Sequence, residues 1–366
     1  MANKAKSLDE FAKEKELDHA QTDRELGRIK RERDAARSAL RLAEHETETL
    51  RTDLSTLTAL DAVSVETAPW GKVSKRRRAK GKATALIMLS DLHLDEVVKA
   101  AEVTVSGRAL NAYDRRIALQ RLRRTAEGAV RLGTELMQGF AYDGAIVVLG
   151  GDLISGSLHD LAEWNEGGGP IATCDYWVDH LAAFLSTIAD AYGPTHVVSV
   201  VGNHGRNTRK PRTKGRVEDN FDHLLARLLC RHFVADERFT WNIPLSADAY
   251  VDVYDSRILI THGDQAKGGA GISGLLTPIS LLDHRKRKRD ATVGRPYSHL
   301  FMGHWHQYLR TGSVTVNGSM KGTDEYAFLN NFGHEEPSQA FAVITPEHGV
   351  TIESAIYCAD RVAEGW

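Results

Sequence analysis

Five short apolar runs, spread between residues 85 and 302, each stop at a cluster of Gly, Asp, Asn or His, and this pattern constrains the fold more than any other property of the chain. Residues 85–89 run into Asp91-Leu92-His93, residues 145–149 into Gly150-Gly151-Asp152, and residues 196–201 into Gly202-Asn203-His204. Residues 257–260 end at Thr261-His262-Gly263-Asp264, and residues 300–302 at Gly303-His304-Trp305-His306. Such short, fully apolar runs read as strands buried on both faces. Longer amphipathic stretches at about 112–138, 175–191, 218–233 and 279–289 separate them and read as helices. A further strand is expected at 250–254, and the tail from 313 to 357 reads as β-rich. Strand and helix in alternation predict an α/β core with helices packed over sheets.

In α/β sheets ligands bind beyond the carboxyl ends of the strands, so the five clusters are placed to converge. One such cluster alone means little, because a His after a strand is more often a hydrogen-bonded structural residue. Five in succession, each at a strand end, are hard to explain as structure alone. Carboxylate, amide oxygen and imidazole together suit manganese, iron, zinc, nickel or cobalt rather than a thiolate-loving ion. The two-residue spacing in Asp91/His93 and His304/His306 puts each pair on one face of an extended segment. Seven candidate ligands are too many for one ion with an open position, and suit two ions sharing a carboxylate, ~3.5–4 Å apart.

In order, the clusters D-x-H, G-D, G-N-H, a His-Gly and G-H-x-H resemble the signature of the calcineurin-like metallophosphoesterases over residues 83–307. Within that superfamily the chain is similar in style to the DNA-repair exonuclease branch and its bacteriophage-encoded relatives. The residues behind that placement are Gly202-Asn203-His204-Gly205-Arg206, Val316-Asn317-Gly318-Ser319 and Asp324-Glu325-Tyr326. The resemblance implies a metallophosphoesterase-type β-sandwich core flanked by helices. It also implies two divalent cations, with manganese the first choice. Asp91, His93 and His306 would hold one, Asn203, His262 and His304 the other, and Asp152 would bridge them. A hydroxide between the two ions would attack phosphorus, and His204 would be catalytic, stabilising or protonating the leaving oxygen. The family places an acidic residue after this His, and here the position is Gly205, so the carboxylate is missing or comes from elsewhere. The 61 residues from Asp91 to Asp152 imply an insertion or a long helix.

Composition changes near residue 83, and three regions are expected: a helical coiled-coil segment over 1–60, a basic linker over 61–82, and the phosphoesterase domain over 83–366. A heptad can be written with Leu26, Arg33, Leu40, Thr47 and Leu54 at a, and Ile29, Ala36, Ala43, Leu50 and Leu57 at d. That pattern predicts a coiled coil and a homodimer formed through it; the alternative is a single solvated helix. The linker carries the run from Lys75 to Lys82, in which only Ala79 and Gly81 are not basic. A formal net charge of −2 excludes any global pull toward nucleic acid or membrane. No apolar run approaches the ~20 residues of a membrane span, and the charged amino terminus does not read as a signal peptide. Three scattered cysteines, Cys174, Cys230 and Cys358, read as reduced thiols, and the expected location is the cytoplasm.

Local charge bears on the substrate. Six of the eleven residues from Arg206 to Arg216 are basic and follow the third cluster directly. They favour a polyanion, with Arg206 the first candidate for substrate binding, while a solvated loop explains them equally well. The run from Arg285 to Arg289 reads as a solvated helix end. Asp95 and Asp264 are candidates to orient ligand histidines, Trp305 is expected to pack, and His159 reads as a surface residue. The function that follows is a two-metal-dependent nuclease or phosphodiesterase acting on nucleic acid. A phosphomonoesterase or cyclic-nucleotide phosphodiesterase is the alternative, and a non-catalytic coiled-coil scaffold is a further one.

Overall fold

The computed structural model describes residues 8–60, 81–158, 165–267 and 274–366, and within the first stretch the side chains of Lys15 and residues 22–55. The chain divides into two compact units, residues 1–63 and 64–366. In the first, α1 (Leu8–Leu60) is one helix of 53 residues. It has no proline to break it and supports itself with local pairs such as Arg28 with Glu32. Its heptad residues Leu26, Ile29, Leu40, Leu50 and Leu54 are exposed. The expected linker lies outside the described residues except at its end, where Lys82 already belongs to the next strand.

The second unit runs β1 (Lys82–Leu89), β2 (Thr104–Val105), β3 (Arg108–Ala109), α2 (Arg115–Arg131), β4 (Ala141–Leu149), α3 (Pro170–Tyr192), β5 (Thr195–Ser199) and α4 (Phe221–His232). It continues through β6 (Phe239–Asn242), β7 (Asp248–Val253), β8 (Ser256–Thr261), α5 (Leu276–Ala291), β9 (His299–Met302), β10 (Leu309–Arg310) and β11 (Val314–Val316). It closes with α6 (Glu325–Leu329), β12 (Ser338–Thr345), β13 (Gly349–Tyr357) and α7 (Arg361–Glu364). One sheet has the order β13-β12-β1-β4-β5-β6, another β10-β11-β9-β8-β7, and β2 and β3 form a small ribbon. The ribbon, α2 and a π turn over Leu132–Leu136 fill the long gap between the first two clusters.

Alternation along β1 decides the layering. Ala83, Ala85, Ile87 and Leu89 pack with Ile117, Leu122, Trp177 and Leu181 of α2 and α3. Leu86 and Met88 point the other way and share an apolar layer with Val251, Ile258, Ile260 and Phe301 of the second sheet. On that sheet's outer side, Ile279 and Leu282 of α5 cover Leu259, Leu300 and Met302. Each central strand is therefore buried on both faces, which is why the sequence shows continuous apolar runs rather than alternation. β1, β4 and β5 are parallel, as are β8, β9 and β11, so their carboxyl ends gather at one edge. Among the described residues, no helix is long and apolar enough to cross a membrane.

Candidate metal centre

The side chains of all five clusters meet at this edge. Asp91, His93 and His306 place one donor atom each within 4.8 Å of one another, and Asp152, His262 and His304 form a second such group. His93, Asp152 and His204 form a third, so Asp152 belongs to two groups and lies between them. Asn203 Oδ1 lies 3.2 Å from His262 Nε2, on the Asp152 side. The Nε2 atoms of His93 and His306 are 3.1 Å apart, and His306 Nε2 is 3.4 Å from Asp91 Oδ1. All seven expected ligands are thus brought together, with His204 beside them, its ring centroid 4.7 Å from that of His93.

The paired residues share a face for a different reason from the expected extended backbone. Asp91 (φ 54°), His93 (φ 48°), Asp152 (φ 49°), His304 (φ 76°) and His306 (φ 55°) all occupy the left-handed region. Non-glycine residues are uncommon there, and strained turns of this kind collect at functional sites. The glycines act by leaving room. A Cβ at Gly202 would come within 2.0 Å of Asp152 Oδ1, and one at Gly303 within 2.2 Å of Asp91 Oδ2.

The donor chemistry fits cations. His262 faces the Gly150 carbonyl through Nδ1 at 2.9 Å, so the neutral imidazole donates there and leaves Nε2 as an acceptor. That Nε2 meets Asp152 Oδ2 at 3.0 Å and Asn203 Oδ1 at 3.2 Å, so three acceptors converge with no donor among them. A metal ion resolves the conflict; without one, a proton must. Burial opposes a charged His262, but the Asp152 carboxylate outweighs burial and pushes it up to about 10. His304 moves the opposite way, to about 4, because it is buried and beside His262. Burial pushes the Asp152 carboxyl up, but the neighbouring histidines prevail and hold it well below the usual range.

Behind these ligands lies a second set of residues that the sequence reading missed. His93 Nδ1 is 2.8 Å from Ser155 Oγ, which donates to Glu96, and Glu96 is held by the buried Lys321 at 2.8 Å. The chain orients His93 and presents its Nε2 to the site. Ser90 donates to Asp91 at 2.6 Å and accepts from Asn317 at 2.9 Å. Asp222, at the start of α4, accepts the backbone N–H groups of Asp152, Leu153 and Gly202 at 2.9–3.0 Å. One carboxylate therefore clamps together the loops that carry the second and third clusters. Burial and the nearby Asp152 raise Asp222 to about 6.

Asp222 also accounts for Gly205. A Cβ at that position would lie 2.6 Å from Asn220 Oδ1 and 3.1 Å from the Asp222 carboxyl carbon. An acidic side chain at 205 has no room there, and a carboxylate from α4 occupies the place. Only Glu96, three residues beyond His93, could have been suspected from spacing; nothing local marks Asp222.

Asp95 and Asp264 do not take up the orienting roles expected of them. Asp95 is buried between the Arg115 guanidinium, at 2.7–2.8 Å, and Trp177 Nε1, at 2.7 Å, and braces α2 against α3. Asp264 pairs with Arg216 at 2.8 Å. Arg206 turns its guanidinium onto the carbonyls of Asn203, Thr208 and Arg209, which shapes the basic loop from within. With Asn203, Arg212, Arg216 and Asp264 it lines a cleft beside the centre. Trp305 is partly buried against the α5 side of the second sheet. His159 lies outside the described residues.

No family model and no curated protein matches this chain. Solved structures similar to it include a predicted phosphoesterase from Streptococcus pneumoniae TIGR4, at 12% identity and TM-score 0.27, covering 75% of this chain and 98% of that one. Vacuolar Protein Sorting 29 from Cryptosporidium parvum is 10% identical with TM-score 0.30, covering 75% and 97%. Wild-type Vps29 from Entamoeba histolytica, complexed with zinc, is 12% identical with TM-score 0.23, covering 44% and 82%. Likenesses this distant assign neither an activity nor a metal to the chain, so function has to be argued from the geometry of the centre.

Proposed function

We propose that this chain is a two-metal-dependent phosphoesterase of the calcineurin-like metallophosphoesterase type, hydrolysing phosphodiester bonds of nucleic acid. The observation that carries the reading is the pair of donor groups, Asp91/His93/His306 and Asp152/His262/His304, lying side by side with Asp152 between them. Asp91, His93 and His306 would hold one cation, Asn203, His262 and His304 the other, with Asp152 shared. Two divalent cations, manganese first, would supply Lewis-acid polarisation of the phosphate and acidify water at neutral pH.

The protein's own residues do the rest. The Ser155–Glu96 pair fixes the His93 tautomer, and the Gly150 carbonyl fixes that of His262. His204 is held by its backbone N–H on Asp152 Oδ1 at 2.7 Å, which sets its imidazole beside the centre to hold a proton for the departing ester oxygen. Cleavage of nucleic acid rather than of a small ester is supported by the basic loop, whose cleft opens from Asn203. The exposed leucines of α1 favour a homodimer through a coiled coil, and a dimeric mass in light scattering is expected.

The test is an assay of the purified chain with Mn²⁺ on single-stranded DNA, double-stranded DNA and an aryl phosphodiester. Cleavage of polynucleotide is expected, lost in Asp152→Asn and reduced about 10²–10⁴-fold in His204→Ala. Turnover of the aryl ester without cleavage of any polynucleotide would end the nucleic-acid reading and leave a small-ester phosphatase. An Asp152→Asn chain as active as the wild type would mean that the cleavage does not come from this centre, and would revive the scaffold alternative.

A further inference from the structure

The strand order brings an unassigned aromatic surface to the rim of the metal centre. β11 runs parallel to β9, so the segment after Val316 emerges at the same edge as His304 and His306. Its start is pinned directly behind Asp91: Ser319 Oγ donates to the Asp91 carbonyl at 2.9 Å, and Asn317 Nδ2 donates to Ser90 Oγ. Its end returns to the other flank of the first donor group. There Glu335 accepts the Tyr308 N–H at 2.5 Å, and a Cβ at Gly333 would lie 3.8 Å from Gln307 Nε2.

Between the two pins, α6 and the turn after it display Tyr326 (56% exposed), Leu329 (79%) and Phe332 (56%). The two rings sit 5.9 Å apart at 77°. Contacts at its base hold the display in place. Asp324 caps α6 through the Ala327 N–H at 2.7 Å and pairs with buried Lys321, and Glu325 accepts the Lys99 N–H at 2.9 Å. Adjacent exposed apolar side chains of this kind are a common feature of interaction sites. On the opposite flank, beside Asn203, the loop at 207–216 exposes Arg209, Lys210, Arg212 and Lys214.

Rings on one side and cations on the other match the two parts of a single strand, whose bases are free to stack while its phosphates stay exposed. A duplex offers phosphates but keeps its bases stacked on each other. We propose that Tyr326 and Phe332 form a stacking platform for unpaired bases and that the basic loop holds phosphates of the same strand, so that the ligand is single-stranded nucleic acid running across the metal centre. The inference rests on the phosphoesterase reading for its biological sense, but binding can be measured without turnover.

Fluorescence anisotropy of the full chain with a fluorescein-labelled oligothymidylate, in EDTA, reads the platform directly. Tyr326→Ala and Phe332→Ala should each weaken binding about fivefold or more, the lower end for one stacked base, while Tyr326→Phe, which keeps a ring, should bind as the wild type does. Replacing Arg209, Lys210 and Lys214 together by Ala should lower the slope of log affinity against log salt by about 2, at roughly 0.7 per lost phosphate contact. Unchanged affinity in both ring variants overturns the proposal. So does a change in oligomeric mass in place of affinity, which would make the patch a contact between copies of this chain. Aryl phosphodiester turnover by the wild type with Mn²⁺ tests the phosphoesterase reading separately, since it needs neither rings nor loop.

Discussion

Two stretches of this chain are almost equally basic, and the fold treats them in opposite ways. Along α5, Lys286 is buried and holds Asp248 and Gln265 at 2.6 and 2.7 Å, and Arg287 holds Asp283, the Tyr297 carbonyl and Ser313. Arg289 reaches Asp248, Asp290 and the Tyr250 hydroxyl. The remaining two, Arg285 and Lys288, face solvent. In the loop from Arg206 to Arg216, Arg206 is engaged on carbonyls of its own turn, Arg212 on Asp219 and Arg216 on Asp264, while Arg209, Lys210 and Lys214 stand in solvent beside the candidate metal centre. A helix turns part of a charge run onto its packed side, where Lys286, Arg287 and Arg289 meet fixed partners. A basic run in a loop containing Pro211 and Gly215 has no such side, and Arg209, Lys210 and Lys214 remain available to a ligand. Charge density alone therefore does not show which cations are free to meet a ligand; the backbone beneath them does.

The largest effect that would sharpen this contrast is at Lys286. Lys286→Ala leaves Asp248 buried with one cation fewer, and chemical denaturation should show a loss of about 3 kcal/mol. A loss below about 1 kcal/mol would mean that the α5 run is as loosely held as the loop.

A smaller effect lies in acid. Burial pushes the Asp248 carboxyl up, but Lys286 and Arg289 outweigh burial and hold it below its ordinary value of 3.8. A carboxylate depressed on folding stabilises above its unfolded pKa, and that stabilisation is lost as pH falls through the folded value. Stability of the wild type should therefore drop more steeply below about pH 4 than that of Asp248→Asn. Parallel acid limbs in the two proteins would remove this ion pair from the explanation. The smallest effect is a null: Arg285→Ala combined with Lys288→Ala should leave oligothymidylate affinity within twofold, and a larger loss would place α5 on the ligand path after all.

Much of the centre was legible in the primary structure because its signals are local. A buried strand announces itself as an apolar run, and the ligand types and their two-residue spacing sit within a few positions of each run's end. The helices were placed to within a few residues except at 175–191, where α3 already begins at Pro170, and at 112–138, where Asp114 caps α2 late and a π turn replaces its last part. Illegible were the residues that act by reaching across the fold. Lys321 lies 225 positions from Glu96, and Asp222 lies 70 from Asp152, with no spacing rule linking either pair. The positive φ angles were also hidden, since Asp and His give no sign of a left-handed turn until the packing around them requires it.

By itself the sequence determined which segments are buried strands and that each ends in metal-type donors, because hydrophobic periodicity and side-chain chemistry are properties of neighbours along the chain. Tertiary structure alone decided that Asp152 stands between two donor groups, that Asp222 fills the space beside Gly205, and which of two basic runs stays open. Those outcomes depend on burial and on hydrogen bonds between distant residues, and neither exists until the sheets have closed over one another.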